Sequence, residues 1–210
     1  MILALAPDLT PDPSVLGGKA ASLVRMLQLG LPVPPAFVVP AEVCRIRSAG
    51  DGLPPGLGDA LRAAIGGLER ATGRRFGGTP PLLVSVRSGA AISMPGMLDT
   101  LLNIGLDSIA EAALAAETGD RHFAAALSEA LARQFADLIG PLPADPHDQL
   151  EAAVLAVVDS WHGRRARRYR EAHGIPHTLG TAVTIQAMVF GNRCARSGTG
   201  VLFTRNPVDG

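Results

Sequence analysis

Four short segments of this 210-residue chain carry side chains whose type and spacing suit phosphate or nucleotide chemistry. The first is Gly17-Gly18-Lys19. Of the 19 basic residues, 18 are arginine, and Lys19 is the sole lysine. Small residues there let backbone approach a ligand, the start of a helix offers free N–H groups, and a mobile ammonium reaches a phosphate oxygen. The triplet lacks the GxxxxGK[ST] spacing of a P-loop, so an exposed lysine on a capped helix fits it equally. The second is Ser85-Val86-Arg87-Ser88-Gly89, where an apolar strand delivers a guanidinium and a hydroxyl at its carboxyl end. A guanidinium is a planar fork matched to phosphate oxygens, and strand ends are favoured ligand positions. The alternative is a buried arginine paired with a core carboxylate.

The third segment is the loop Ser93-Met94-Pro95-Gly96-Met97-Leu98-Asp99-Thr100. Gly96 permits close backbone approach, the methionines offer a soft apolar surface, and Asp99 or Thr100 can cap a following helix. Read alone, the same loop supplies core methionines and a cap. The fourth runs from Gln186-Ala187-Met188-Val189 to Ser197-Gly198-Thr199-Gly200, where a strand edge can offer backbone groups to a purine ring and Met188 can pack on its face. A plain hairpin with a glycine-rich turn is the alternative. The run Arg164-Arg165-Ala166-Arg167-Arg168-Tyr169-Arg170 resembles a nucleic-acid patch. It falls at the tail of a predicted helix, where cations favour the dipole and Asp159 and Glu171 lie nearby, so a solvated or internally paired face is expected.

The elements that must position these groups follow from periodicity. Helices are predicted over 16–29, 41–49, 57–72, 108–139 with a break near Gly119, and 148–173. Strands are predicted over 36–39, 82–86 and 182–189, with a polar turn over 191–200 and a returning strand over 201–204. The expected fold is α+β (mixed α/β): a lobe over 1–107, a helical segment over 108–180, and a β-hairpin over 181–210 completing the first lobe.

Hydrophobic content of 47% and positive mean hydropathy provide for a packed core. Nineteen acidic residues balance nineteen basic ones, so overall charge gives no pull towards nucleic acid or an anionic membrane. Apolar runs such as 152–158 are far shorter than the ~20 residues that cross a bilayer, and no secretory leader follows Met1; a cytoplasmic protein is expected. Cys44 and Cys194 have no metal-ligand spacing and are expected to be reduced thiols.

Taken in order, these segments resemble the pyruvate phosphate dikinases, a family of ATP-grasp kinases. The likeness is carried by Leu16-Gly17-Gly18-Lys19 and Leu29-Gly30-Leu31-Pro32-Val33-Pro34-Pro35, then by Pro81 through Ala90 and Ser93 through Thr100. The last string runs from Gln186-Ala187-Met188-Val189-Phe190-Gly191-Asn192 to Phe203-Thr204-Arg205-Asn206-Pro207. Phosphoenolpyruvate synthase and rifampin phosphotransferase share the GGK and VRS elements, whereas SMPGMLDT and MVFGN look like the dikinase branch.

The resemblance implies a partial ATP-grasp domain in which Lys19 and Arg87 bind and act on the phosphates of ATP. Gly96, Met97 and Thr100 would belong to the loop over the phosphates, and Gln186, Met188 and Val189 to the adenine wall. It also implies Mg2+, with ligands expected beyond Gly210, and a phosphohistidine domain and a pyruvate domain that a separate chain or a continuation would supply. Full turnover by these residues alone is therefore not expected. A non-catalytic binding module and a fragment of a phosphoenolpyruvate synthase-type kinase are the alternatives. Ala20 stands where the family usually has glycine, Cys194-Ala195-Arg196 replaces a more acidic hairpin tip, and the stretch 135–146 is shorter than the helical insertion expected there.

Overall fold

The computed structural model describes residues 2–50, 54–192, 196–203 and 205. In chain order its elements are β1 (Leu3–Ala4), α1 (Pro13–Gln28), β2 (Ala36–Val39), α2 (Ala41–Ser48), α3 (Leu57–Thr72), β3 (Arg75–Phe76), β4 (Pro81–Leu82) and β5 (Val84–Gly89). They continue with β6 (Thr100–Ile104), α4 (Ser108–Thr118), α5 (Arg121–Leu138), α6 (Pro146–Ser160), α7 (Arg164–Ala172) and β7 (Ala182–Ala187). This is the mixed α/β arrangement expected from the pattern.

Aspartates start four of the helices. Asp12, Asp107, Asp120 and Asp145 each accept a hydrogen bond from a first-turn N–H, which satisfies donors that a helix start leaves open. On α3 the residues Leu57, Leu61, Ile65 and Leu68 recur at helical spacing, and all four are buried. Burying each such side chain contributes about 1.5–3 kcal/mol. The helix ends at Gly73, whose φ of 68° is a left-handed conformation that glycine adopts without strain.

Five strands form one sheet in the order β1-β2-β7-β5-β6, with every neighbouring pair antiparallel. Because side chains alternate across a strand, register assigns each residue to a face. One row is Phe37, Ile185, Val86 and Leu101, all buried in the larger core with α3, α6 and the helices beyond. The adjoining row, on the opposite face, is Val38, Thr184, Arg87 and Thr100. Helix α1 covers part of that second face: Leu16, Ala20 and Val24 pack on Val38, Ala41 and Ala182. Where α1 ends its cover, the sheet presents Arg87.

Four expectations change. The first helix begins earlier, at Pro13, and is broken by Gly17 (φ 76°, ψ 159°), so Lys19 lies in the first turn after a kink. The central strand does not stop before Arg87 but carries it inside β5. Thr100 starts a strand rather than a helix, and the cap of the next helix is Asp107. The single helix predicted over 148–173 is two, α6 and α7, so Arg164 and Arg165 open a helix instead of ending one. The dipole therefore favours only Arg170 in the last turn.

At the far end β7 forms, but it is a central strand between β2 and β5. No strand runs through Val201, Leu202 and Phe203, which are 80%, 94% and 61% exposed. Thr204, the last residue of the predicted return strand, lies outside the described residues, as does Cys194. Cys44 is a buried free thiol whose desolvation raises its pKa.

Candidate functional site

The joint between α1 and β5 depends on a glycine. A Cβ on Gly17 would fall 1.7 Å from the carbonyl oxygen of Gly89, so only a residue without one lets the chain pass. The Gly18 N–H then donates to the Ala90 carbonyl at 3.0 Å, which ties the kinked helix start to the strand's exit. From the other side, Thr181 Oγ1 accepts from the Gly89 N–H at 3.2 Å.

This joint places Lys19 over the end of β5, where its Nζ donates to the Ser88 carbonyl at 2.9 Å. Half-burial, and then the Arg87 charge, lower the Lys19 pKa from its ordinary 10.5. Arg87 is exposed, and among the described residues its guanidinium has neither an ion pair nor a hydrogen bond. Both cations line one cavity of about 530 Å³, together with Gly18, Ser22, Ser93 and Met94. No carboxylate is among its lining residues. Two cations brought together without a carboxylate give the cavity a local positive charge that can attract an anion.

The other expected site residues are distributed more widely. Thr100 stands directly across the β5–β6 pair from Arg87. Gly96 makes the turn of the loop with a φ of 69°, a left-handed conformation that glycine adopts without strain. Leu98, from the same loop, lines the cationic cavity, but Met97 faces a different one, formed with Arg164, Arg165, Arg168, Tyr169 and His173 of α7. Gln186 lies within β7 opposite Ser85, two registers along from the Thr184–Arg87 pair and on the same face. Its Nε2 donates to the Pro34 carbonyl at 3.1 Å. Met188 and Val189 line a third cavity, of about 410 Å³, with Pro34, Pro35, Leu83 and the Arg74–Glu117 ion pair. The structure thus brings Lys19 and Arg87 together and sets Met188 and Val189 at the other end of the same two strands.

Sequence reading missed several groups here. Ser22 follows Lys19 by three residues on α1, a spacing that puts the two on one helix face, so it was discoverable. Thr184 was not. It is 2% exposed beside Arg87, and among the described residues its Oγ1 has no hydrogen-bond partner, a consequence of strand register that nothing local announces. Among the described residues no group of three or more His, Cys, Asp or Glu side chains is placed to hold a metal ion.

A mixed α/β domain with a cavity lined by two cations, between a kinked helix start and a strand, is the class that fold and site define. The profile of the pyruvate phosphate dikinase AMP/ATP-binding domain matches residues 50–210. The chain belongs to that family. It is 40% identical to pyruvate, phosphate dikinase 2 of Zea mays, over 93% of this chain and 28% of the relative. It is 39% identical to pyruvate, phosphate dikinase of Rhizobium meliloti (strain 1021), over 95% of this chain and 28% of that protein. The chloroplastic pyruvate, phosphate dikinase 1 of Arabidopsis thaliana is likewise 39% identical, with 94% of this chain and 26% of the relative aligned. The chain therefore spans between 26% and 28% of the length of these relatives. No helix among the described residues is long and apolar enough to cross a membrane.

Proposed function

We propose that this chain is the ATP-binding part of a pyruvate phosphate dikinase and that the triphosphate of ATP occupies the cavity at Lys19 and Arg87. The observation that carries the reading is the convergence of two cations, neither paired with a carboxylate, in one cavity of a chain that belongs to an AMP/ATP-binding family. Phosphoryl transfer is mainly positioning and charge stabilisation, and both are within reach of an ammonium and a guanidinium held from separate elements. Lys19 is a compact charge on a flexible stem and can follow a moving phosphate. Arg87 is fixed at its root by the strand and can hold an oxygen pair.

The strip Arg87, Thr184, Ser85 and Gln186 leads along the sheet towards Met188 and Val189. From Arg87 to Leu83, whose carbonyl accepts from the Met188 N–H at 2.9 Å, is four strand residues, or about 13 Å. An extended nucleoside triphosphate has a comparable reach, which supports adenine at the Met188 end and phosphates at the Lys19 end. Gly96 and Thr100 then belong to the wall around the phosphates, and the Met97 side chain acts from behind that wall. In this reading the acceptor chemistry, in which ATP, pyruvate and phosphate give AMP, phosphoenolpyruvate and diphosphate, uses a phosphohistidine and a pyruvate domain. In the same reading those domains are supplied by a continuation or a separate chain, and magnesium ligands come from residues other than those described.

Titration calorimetry with ATP tests the site. Binding that weakens at least tenfold in both Lys19→Ala and Arg87→Ala, with melting temperatures unchanged, supports it. Absence of ATP binding to the wild-type chain, or wild-type affinity in both variants, removes the reading and favours a non-catalytic interaction module.

A further inference from the structure

The loop of residues 93–99 is a partition. Ser93, Met94 and Leu98 line the cationic cavity, Met97 lines the groove along α7, and Asp99 lines a third hollow beside α6. A wall this exposed needs something to hold it, and its own bonds are few: the Met97 N–H donates to the Met94 carbonyl at 3.2 Å. Its other polar ties reach outward to the corner between α6 and α7. There the Asp99 N–H donates to Ser160 Oγ at 3.4 Å. The Arg165 guanidinium spans the loop's end, with NH2 donating to Asp99 Oδ1 at 3.2 Å and Nε to the Met97 carbonyl at 3.4 Å.

We propose that Arg165 is a positioning residue for the cationic cavity, clamping the partition loop through the Met97 carbonyl and the Asp99 carboxylate so that Ser93, Met94 and Leu98 keep their places in the cavity wall. The break between α6 and α7 serves this clamp: a continuous helix would not leave Ser160 as the last residue of one helix and Arg165 in the first turn of the next. Arg165 does not line the cavity and acts only through the loop. The forked geometry matters, because lysine can replace the charge on Asp99 but not both donors at once. That this loop position matters for ligand rests on the ATP reading above; the clamp itself does not.

Amide hydrogen exchange of the ligand-free chain, alongside ATP titration, tests the inference with Arg165→Ala, Arg165→Lys and Asp99→Asn. Arg165→Ala is expected to accelerate exchange over residues 96–99, leave the melting temperature unmoved, and weaken ATP about threefold to tenfold, the range of one modest charge-assisted contact. Arg165→Lys should recover part of both effects. Asp99→Asn should add less to Arg165→Ala than it costs alone, since the two share one interaction. Unchanged exchange in Arg165→Ala overturns the clamp, and faster exchange in a chain whose ATP affinity is unaltered overturns the positioning role for the cavity. Faster exchange in a chain that binds no ATP supports the clamp and sinks the nucleotide reading instead.

Discussion

Arg87 and Arg170 lie in the same molecule under opposite conditions. Arg170 belongs to the densest run of positive charge in the chain, yet it is 1% exposed and bonded within the fold. Its NH1 donates to the Trp161 carbonyl at 2.7 Å and its Nε to His177 Nδ1 at 3.0 Å, and its guanidinium lies 4.0 Å from the centre of the Trp161 ring. Arg87 belongs to no run, is exposed, and faces a cavity without a carboxylate. Density of charge in the sequence therefore indicates little about which cation is available to a ligand. What separates the two is whether the fold has already supplied a partner: Arg170 is spent on joining α7 to the α6 corner, and Arg87 has no such partner among the described residues.

Substitution can break this contrast, and the largest effect is expected where the ligand-facing region is assembled. Gly17→Ala sets a Cβ against the Gly89 carbonyl in a backbone conformation that disfavours any side chain. A loss of about 4 kcal/mol in stability is expected, because both strain and a main-chain clash must be relieved. Chemical denaturation measures it, and a loss below about 1 kcal/mol would mean that the α1–β5 joint is far looser than described. Next comes Arg170→Ala, with a cost of about 3 kcal/mol from one vacated buried acceptor, a lost part-buried hydrogen bond to His177 and a lost ring contact, and with ATP affinity retained in whatever fraction stays folded. Arg87→Ala should do the reverse. Stability should move by no more than about 0.5 kcal/mol, while ATP binding falls by about 2 kcal/mol, close to thirtyfold. If Arg87→Ala proves the more destabilising of the two, the division between structural and ligand-facing cations does not hold.

How much of this was legible in the sequence depends on whether the signal was local. Helix α3 was read at its observed bounds because its apolar spacing and the flanking glycines Gly56 and Gly73 lie within the segment itself. Lys19 and Arg87 stood out by residue type and setting, and the structure joins them. The break at 161–163 was not legible, since the helical pattern continues through it. It is held open by Trp161, buried and donating through Nε1 to the His177 carbonyl at 3.0 Å, a contact made sixteen residues away. Strand β6 was misread for a similar reason: Asp99 and Thr100 have cap-forming types, but pairing with β5 decides their conformation. The returning strand over 201–204 was inferred from its place after a strand and a polar turn, and residues 201–203 carry no pairing to support it.

The smallest expected effect is also the sharpest test of what the unpartnered pair does. Desolvation, with the Arg87 charge second, lowers the Lys19 pKa below its ordinary 10.5. Between the lowered value and 10.5 the folded chain binds fewer protons than the unfolded one, so this group's contribution to stability rises with pH across that window. Below the window Lys19 is protonated in both states and its penalty is constant. A bound polyphosphate has the opposite action, because an anion beside the ammonium favours the charged form and raises its pKa again. ATP binding within the window should therefore take up a proton and weaken as pH rises, and calorimetry in buffers of differing ionisation enthalpy reads that uptake directly. Lys19→Arg keeps the charge but does not titrate in this range, so the uptake should vanish while measurable affinity remains. Proton uptake of equal size in Lys19→Arg would assign it to another group and would leave Lys19 a structural tie to the Ser88 carbonyl, a cation of the same kind as Arg170.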